Sequence, residues 1–267
     1  MTYSEIEDPV LSTLVEQQFE AAHRIFYDRV QTRQLMCSIY DVFDEPGSPN
    51  HNCLGCNFDE ITDQISKFLF LCAANPGLFL PQQSFAIYAM LLNMLWERIS
   101  DIFGIISLPE GYRVRYFDAF IRIRRWANFF KHPKAFAWMV HHPKYTFEES
   151  EHGQAFLADL GWLKVDDEFV KRYYASETSK GLTKQFEGKE IQVVVVLPDL
   201  KALTTDICGS LDKFIEIITQ NQVYQEILDE KSTFVGYLSR VDSGQVSPPN
   251  TSLCDPFARN DIEGCRG

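Results

Sequence analysis

Arg125, Asn128 and His132 stand at i, i+3 and i+7 in the segment RRWANFFKH. On a helix turning 100° per residue the three project within about 60° of one another, and the first and last lie roughly 10 Å apart along the axis. A guanidinium, an amide and an imidazole on one stripe are groups that phosphodiester chemistry uses. The planar fork of arginine matches a phosphate and the charge that grows on it. The amide can orient an oxygen, and an imidazole titrating near neutrality can take or give a proton. Pro133 disfavours α geometry in the residue before it, so the helix predicted over 113–131 ends at Lys131 or His132. A helix C-terminus favours the protonated imidazole.

The same stretch concentrates the positive charge of the chain. Residues 113–134 hold seven Lys or Arg and one acid, Asp118, a formal charge of +6. The whole chain is at −12, so everything outside this window sums to −18. One basic helix in an acidic protein is a specific place to hold an anion. Arg122, Arg124, Lys131 and Lys134 are the further phosphate contacts it offers, with His141 and Lys144 just downstream. The overall acidity argues against a general nucleic-acid coat or a membrane-surface binder. The same spacing also fits an ordinary polar helix face, with Arg125 paired to a carboxylate and His132 capping the end.

Arg125, six residues, then His132, with Asn128 between and Lys131 before the histidine, resembles the R-x4-6-H motif of HEPN domains. These are helical bundles found in many prokaryotic toxins and defence proteins. The resemblance covers roughly residues 58–135 as a helical pattern, and RRWANFFKH is its specific part. Many relatives carry the polar residue directly after the arginine; here that position is Trp126, and Asn128 comes two residues later. The resemblance implies an RNA endonuclease that needs no cofactor, with its site formed across a homodimer, in a toxin–antitoxin or anti-phage system. His132 would do the proton work, Arg125 would meet the phosphorane charge, and Asn128 would orient the phosphate, leaving a 2′,3′-cyclic phosphate. No carboxylate cluster suited to two-metal catalysis is evident, which agrees with metal independence. A second class of reading keeps the basic helix as a binding surface only, for RNA, a nucleotide or a protein partner such as an antitoxin or defence effector.

The elements that must position these residues follow from apolar spacing. A first helix is predicted from Asp8 or Ser12 to about 43, then a breaker-rich loop. A second spans 59–74 with Asp59 as its cap, and a third spans 81–102, apolar on nearly all sides and therefore central. The basic helix is the fourth. Short connections make the third and fourth antiparallel, with Glu97 and Asp101 nearer Arg113 or Arg115 than Arg125. Beyond Pro133 the pattern changes: a strand over 135–147, short helical patterns over 147–160 and 165–175, a strand at 192–197 with an unbroken valine run, and a long helix over 200–228. The predicted fold is mainly α: an up-and-down helical bundle with a small appended β element and a further long C-terminal helix. The expected organisation is a bundle over 1–134, a smaller α+β extension over 135–238, and a loose polar tail over 239–267.

Seven cysteines without regular spacing, in a helix-rich chain, predict reduced thiols rather than a disulfide framework. Cys53-Leu-Gly-Cys56 resembles half of a zinc knuckle, because its turn lets both sulfurs face one ion. Two ligands fall short of a tetrahedral site, and Cys37, Cys254 and Cys265 are the thiols that could complete one. The expectation from sequence is plain thiols and no metal. The N-terminus, MTYSEIEDPV, lacks the basic and apolar regions of a signal peptide, and no run approaches the ~20 apolar residues that span a bilayer. The expectation is a cytoplasmic protein with no membrane partner.

Overall fold

A computed structural model describes residues 13–30, 35–37, 53–75, 77–131, 143–148, 162–174 and 192–229. Among these the elements are α1 (Thr13–Arg29), α2 (Leu54–Ala74), α3 (Pro81–Ile105), α4 (Glu110–Tyr116), α5 (Asp118–Lys131), β1 (Lys144–Phe147), β2 (Trp162–Val165), α6 (Asp167–Tyr174), β3 (Gln192–Leu197), α7 (Leu200–Gln220) and α8 (Gln222–Asp229). The fold is mainly helical with a small sheet, as the apolar spacing predicts. No helix among the described residues is long and apolar enough to cross a membrane.

The most evenly apolar segment is the central helix, α3. Pro81 opens it, where the missing N–H costs nothing, and the Gln83 side chain accepts the Leu80 N–H at 3.0 Å. Aromatic rings then tie the bundle together. Phe26 of α1 stacks on Phe58 of α2 at 4.3 Å, Phe58 on Phe214 of α7 at 5.3 Å, and Phe214 meets Phe103 of α3 edge-on at 5.9 Å. Each ring taken fully from water contributes about 1.5–3 kcal/mol. Phe85, near the start of α3, meets Trp126 near the end of α5, whereas Phe103, near its end, meets Phe117 just before α5. The two helices are therefore antiparallel.

Several boundaries differ from the spacing-based expectation. The first helix stops at Arg29, not near 43. The Leu35 N–H returns to the Val30 carbonyl at 3.2 Å, and Met36 takes a left-handed backbone (φ 69°). Burial of Leu35 and Met36 under the bundle outweighs continued helix. The second helix begins at Leu54, with Cys53 rather than Asp59 as its cap. The basic segment is two helices broken at Phe117, a fully buried residue wedged against Trp96 and Phe103. No residue of α4 is buried, so the break lets Phe117 enter the core while α4 lies outside it. The long C-terminal helix breaks at Asn221, whose side chain accepts the Tyr224 N–H at 3.2 Å.

The sheet is parallel throughout, in the order β1-β3-β2. β3 is central and residues 193–197 are all buried, as a strand covered on both faces requires. Of the strand expected over 135–147, the stretch 144–147 is observed; residues 135–142 lie outside the described residues. β2 was not expected. Four residues, WLKV, are too few to show alternation, and pairing with β3 makes them a strand. α7 runs along α1, and one apolar cluster extends from Val15 to Leu228.

A buried polar bridge also joins α3 to α7. The Tyr88 hydroxyl and the Thr204 hydroxyl lie 2.9 Å apart, both without solvent exposure. Burial raises the phenol pKa far more than the Thr204 contact lowers it, so Tyr88 is neutral at every working pH. Tyr88→Phe strands the Thr204 hydroxyl and is expected to cost about 1–3 kcal/mol, read as a lowered urea midpoint at unchanged m value.

Candidate functional site

Helix α5 carries four cations against one acid, Asp118. Its buried face is Ala119, Phe120, Ile123, Trp126, Ala127 and Phe129. Arg124, Arg125 and Asn128 are half-buried and Lys131 is exposed, all away from that face. Arg125 and Asn128, one turn apart, share the outer stripe that the spacing predicts. His132, the next residue after α5, lies outside the described residues, as do Lys134 and His141.

Arg122 has a different place. It pairs with Asp167 at the start of α6, and the same carboxylate accepts the Trp126 indole N–H through its other oxygen. Local chemistry sets Asp167 there. Asp166 caps α6 by accepting the Phe169 N–H at 2.9 Å, and Lys164 pairs with it at 2.8 Å. Burial pushes the Asp166 carboxyl up, but Lys164 and the helix N–H more than offset this and hold it below the usual range. Asp167 then falls in the first turn of α6, where a carboxylate is favoured by the helix dipole. Trp126 is thus a packing and docking residue.

Arg122 and Arg125 both line a cleft of about 410 Å3 with Val114, Asp118, Asp167, Glu168, Val170 and Lys171. Three cations face three carboxylates there, so the cleft offers an anion no net attraction. Lys144, expected as a phosphate contact, holds its ammonium 4.3 Å from the centre of the Trp162 ring. Glu97 accepts from Asn93 at 2.8 Å, and Asp101 pairs with Arg98 within α3 at 3.3 Å. Arg113 lies over the Phe103 ring at 5.8 Å.

The thiols form a second constellation. Cys53 and Cys56 sit at the N-terminus of α2, and the turn at 35–37 brings Cys37 to them; the three sulfurs lie within 4.8 Å of one another. The Cys56 N–H donates to Cys53 Sγ at 3.3 Å. All three are free thiols. Burial pushes the Cys37 and Cys53 thiols up, and for Cys37 the neighbouring Cys56 adds to this. Gly55 permits the approach: a Cβ there would lie 2.9 Å from the Leu35 carbonyl oxygen and 3.5 Å from Cys37 Sγ. Gly55→Ala is expected to destabilise by about 1–3 kcal/mol because backbone must shift, measured by urea unfolding.

Sequence reasoning missed Asp167 and, of the three thiols that could join Cys53 and Cys56, could not single out Cys37. Asp167 was hidden in a short acidic helix start, and only the Asp-Asp pair preceding an apolar helical pattern marks it as a capping region. Cys37 lies sixteen residues before Cys53 with no periodic relation to it. No family model, curated protein or solved structure matches this chain.

Proposed function

We propose that the chain is a HEPN-type RNA endonuclease whose working surface is the outer stripe of α5. The observation that supports this most is that Arg125 and Asn128, both half-buried and one turn apart, stand together on the side of the helix opposite its buried face. A rigid helix holds its groups better than a loop, and the docking of Trp126 and Arg122 on Asp167 fastens this one. Arg125 meets the charge on the phosphorane, Asn128 orients a phosphate oxygen, and His132 transfers protons between the 2′-hydroxyl, the leaving 5′-oxygen and solvent. One imidazole per chain supplies one proton-transfer group. Two chains therefore bring the acid and the base together at one phosphodiester. The cell setting that goes with this reading is a toxin–antitoxin or anti-phage system.

The test is incubation of the purified full chain with total RNA in EDTA, with folding checked by circular dichroism. Cleavage that persists and leaves 2′,3′-cyclic phosphate ends is expected. A folded dimer that cuts no RNA sinks the reading.

The four cations of α5 against one acid also support a second reading, a non-catalytic module that binds RNA or an acidic protein. RNA bound through Arg125 without cleavage is its signature.

A further inference from the structure

Three cysteines from two separate segments meet at the start of α2, and neither the helix cap nor core packing calls for the third. Cys53 alone, as the residue before α2, satisfies the Cys56 N–H. Cys37 arrives from the 35–37 turn, held by the Val30–Leu35 hydrogen bond and by a left-handed Met36 that is fully buried. A left-handed backbone at a non-glycine residue is costly and persists where surrounding structure requires it. Gly55 is the complementary device, since any side chain would strike the Leu35 carbonyl and crowd Cys37 Sγ.

We propose that Cys37, Cys53 and Cys56 form a zinc site that clips the 35–37 turn to the N-terminus of α2. Thiolate bonds to zinc are about 2.3 Å, which sets sulfurs roughly 3.8 Å apart at the corners of a tetrahedron. The three sulfurs already fall within 4.8 Å, so rotation of the side chains by less than a bond length completes the fit. Soft thiolates select zinc over magnesium or calcium. The Cys56 N–H on Cys53 Sγ is the outer-shell bond that steadies such a ligand. Cys53 is buried, whereas Cys37 and Cys56 keep partial exposure, which gives the ion a way in. Binding converts three S–H groups to thiolates and releases their protons to solvent. Among the described residues no fourth His, Cys, Asp or Glu joins the cluster, so the fourth corner takes water or another donor.

The test uses the full chain, isolated without chelator and with thiols kept reduced. Elemental analysis is expected to find about one zinc per chain, the stoichiometry of a single site. Stripped protein titrated with Co2+ is expected to develop thiolate charge-transfer absorption that saturates at one equivalent and is bleached by Zn2+. Cys37→Ser, Cys53→Ser and Cys56→Ser should each weaken zinc binding by more than about 100-fold, beyond the 10–100-fold typical of an outer-shell change. Cys208→Ala, at a thiol outside the cluster, should leave binding unchanged. Should the serine variants fail to fold, the wild type answers alone: zinc should protect Cys37, Cys53 and Cys56 from alkylation, mapped by peptide mass spectrometry. A reduced chain that takes up no zinc, binding unaffected by Cys37→Ser, or protection that omits Cys37 overturns the proposal. None of these readouts depends on RNA cleavage.

Discussion

His132→Ala is expected to lower RNA cleavage by about 10²–10⁴-fold while leaving folding and RNA binding largely intact. An imidazole supplies proton transfer, not bulk charge, so its loss falls on the chemical step. His132 follows Lys131, the last residue of α5, and no core contact is asked of it in this mechanism. Arg125→Ala should behave differently. It carries charge in the ground state as well as in the transition state, so both RNA affinity and cleavage should fall. Arg125→Lys keeps the charge but loses the planar fork, and is expected to recover binding more than cleavage. Asn128→Ala should be the mildest of the three. Single-turnover cleavage beside a filter-binding titration separates these effects. Equal cleavage by wild type and His132→Ala would remove His132 from the mechanism. Dimerisation is an independent check, because a strictly monomeric active chain has one imidazole where the mechanism uses two.

Trp126→Ala is expected to destabilise the fold by about 3–5 kcal/mol, the usual cost of truncating a large buried aromatic. Trp126 is fully buried and touches Phe85 and Phe129 edge-on at 5.5 and 5.6 Å, with Phe130 stacked at 6.1 Å. Its indole N–H also reaches Asp167, which joins α5 to α6. Trp126→Phe keeps most of the packing and removes that hydrogen bond. Because the Asp167 side chain is 36% exposed, water replaces part of the loss, so the cost should sit near the low end of the 1.5–3 kcal/mol of a charged hydrogen bond. Urea unfolding of both variants measures this. A Trp126→Ala cost below about 1 kcal/mol would mean that the joint between α5 and α6 carries little of the stability. In the mechanism Trp126 supports the stripe and touches no substrate, so Trp126→Phe should leave cleavage near wild type.

The structure gives Arg122 and Arg125, three residues apart on one helix, different surroundings. Arg122 points toward the α6 side and its charge is met by Asp167. Arg125 shares the cleft with Asp118, Glu168 and Lys171 while standing beside Asn128 on the outer stripe. A count of basic residues treats them alike. Packing assigns Arg122 to the joint with Asp167 and sets Arg125 between the cleft and the outer stripe.

Local pattern by itself determined the mainly helical class, the central place of the third helix, the valine-rich strand at 192–197 and the stripe of Arg125 and Asn128. Each depends on a repeat of 3.6 or on an unbroken apolar run, which neighbouring residues carry within one segment. Tertiary structure alone decided where helices stop: at Arg29, where Leu35 and Met36 turn into the core; at Phe117, which wedges between Trp96 and Phe103; and at Asn221. It alone made WLKV a strand, by pairing it with β3. It alone set Asp167 between Arg122 and Trp126, and brought Cys37 to Cys53 and Cys56 from sixteen residues away in sequence. The reason is physical. A repeat says which face of a segment will be buried, but not which other face will cover it. Contacts between distant segments are chosen by shape, charge and the burial of the whole core, and these appear only when the chain has closed on itself.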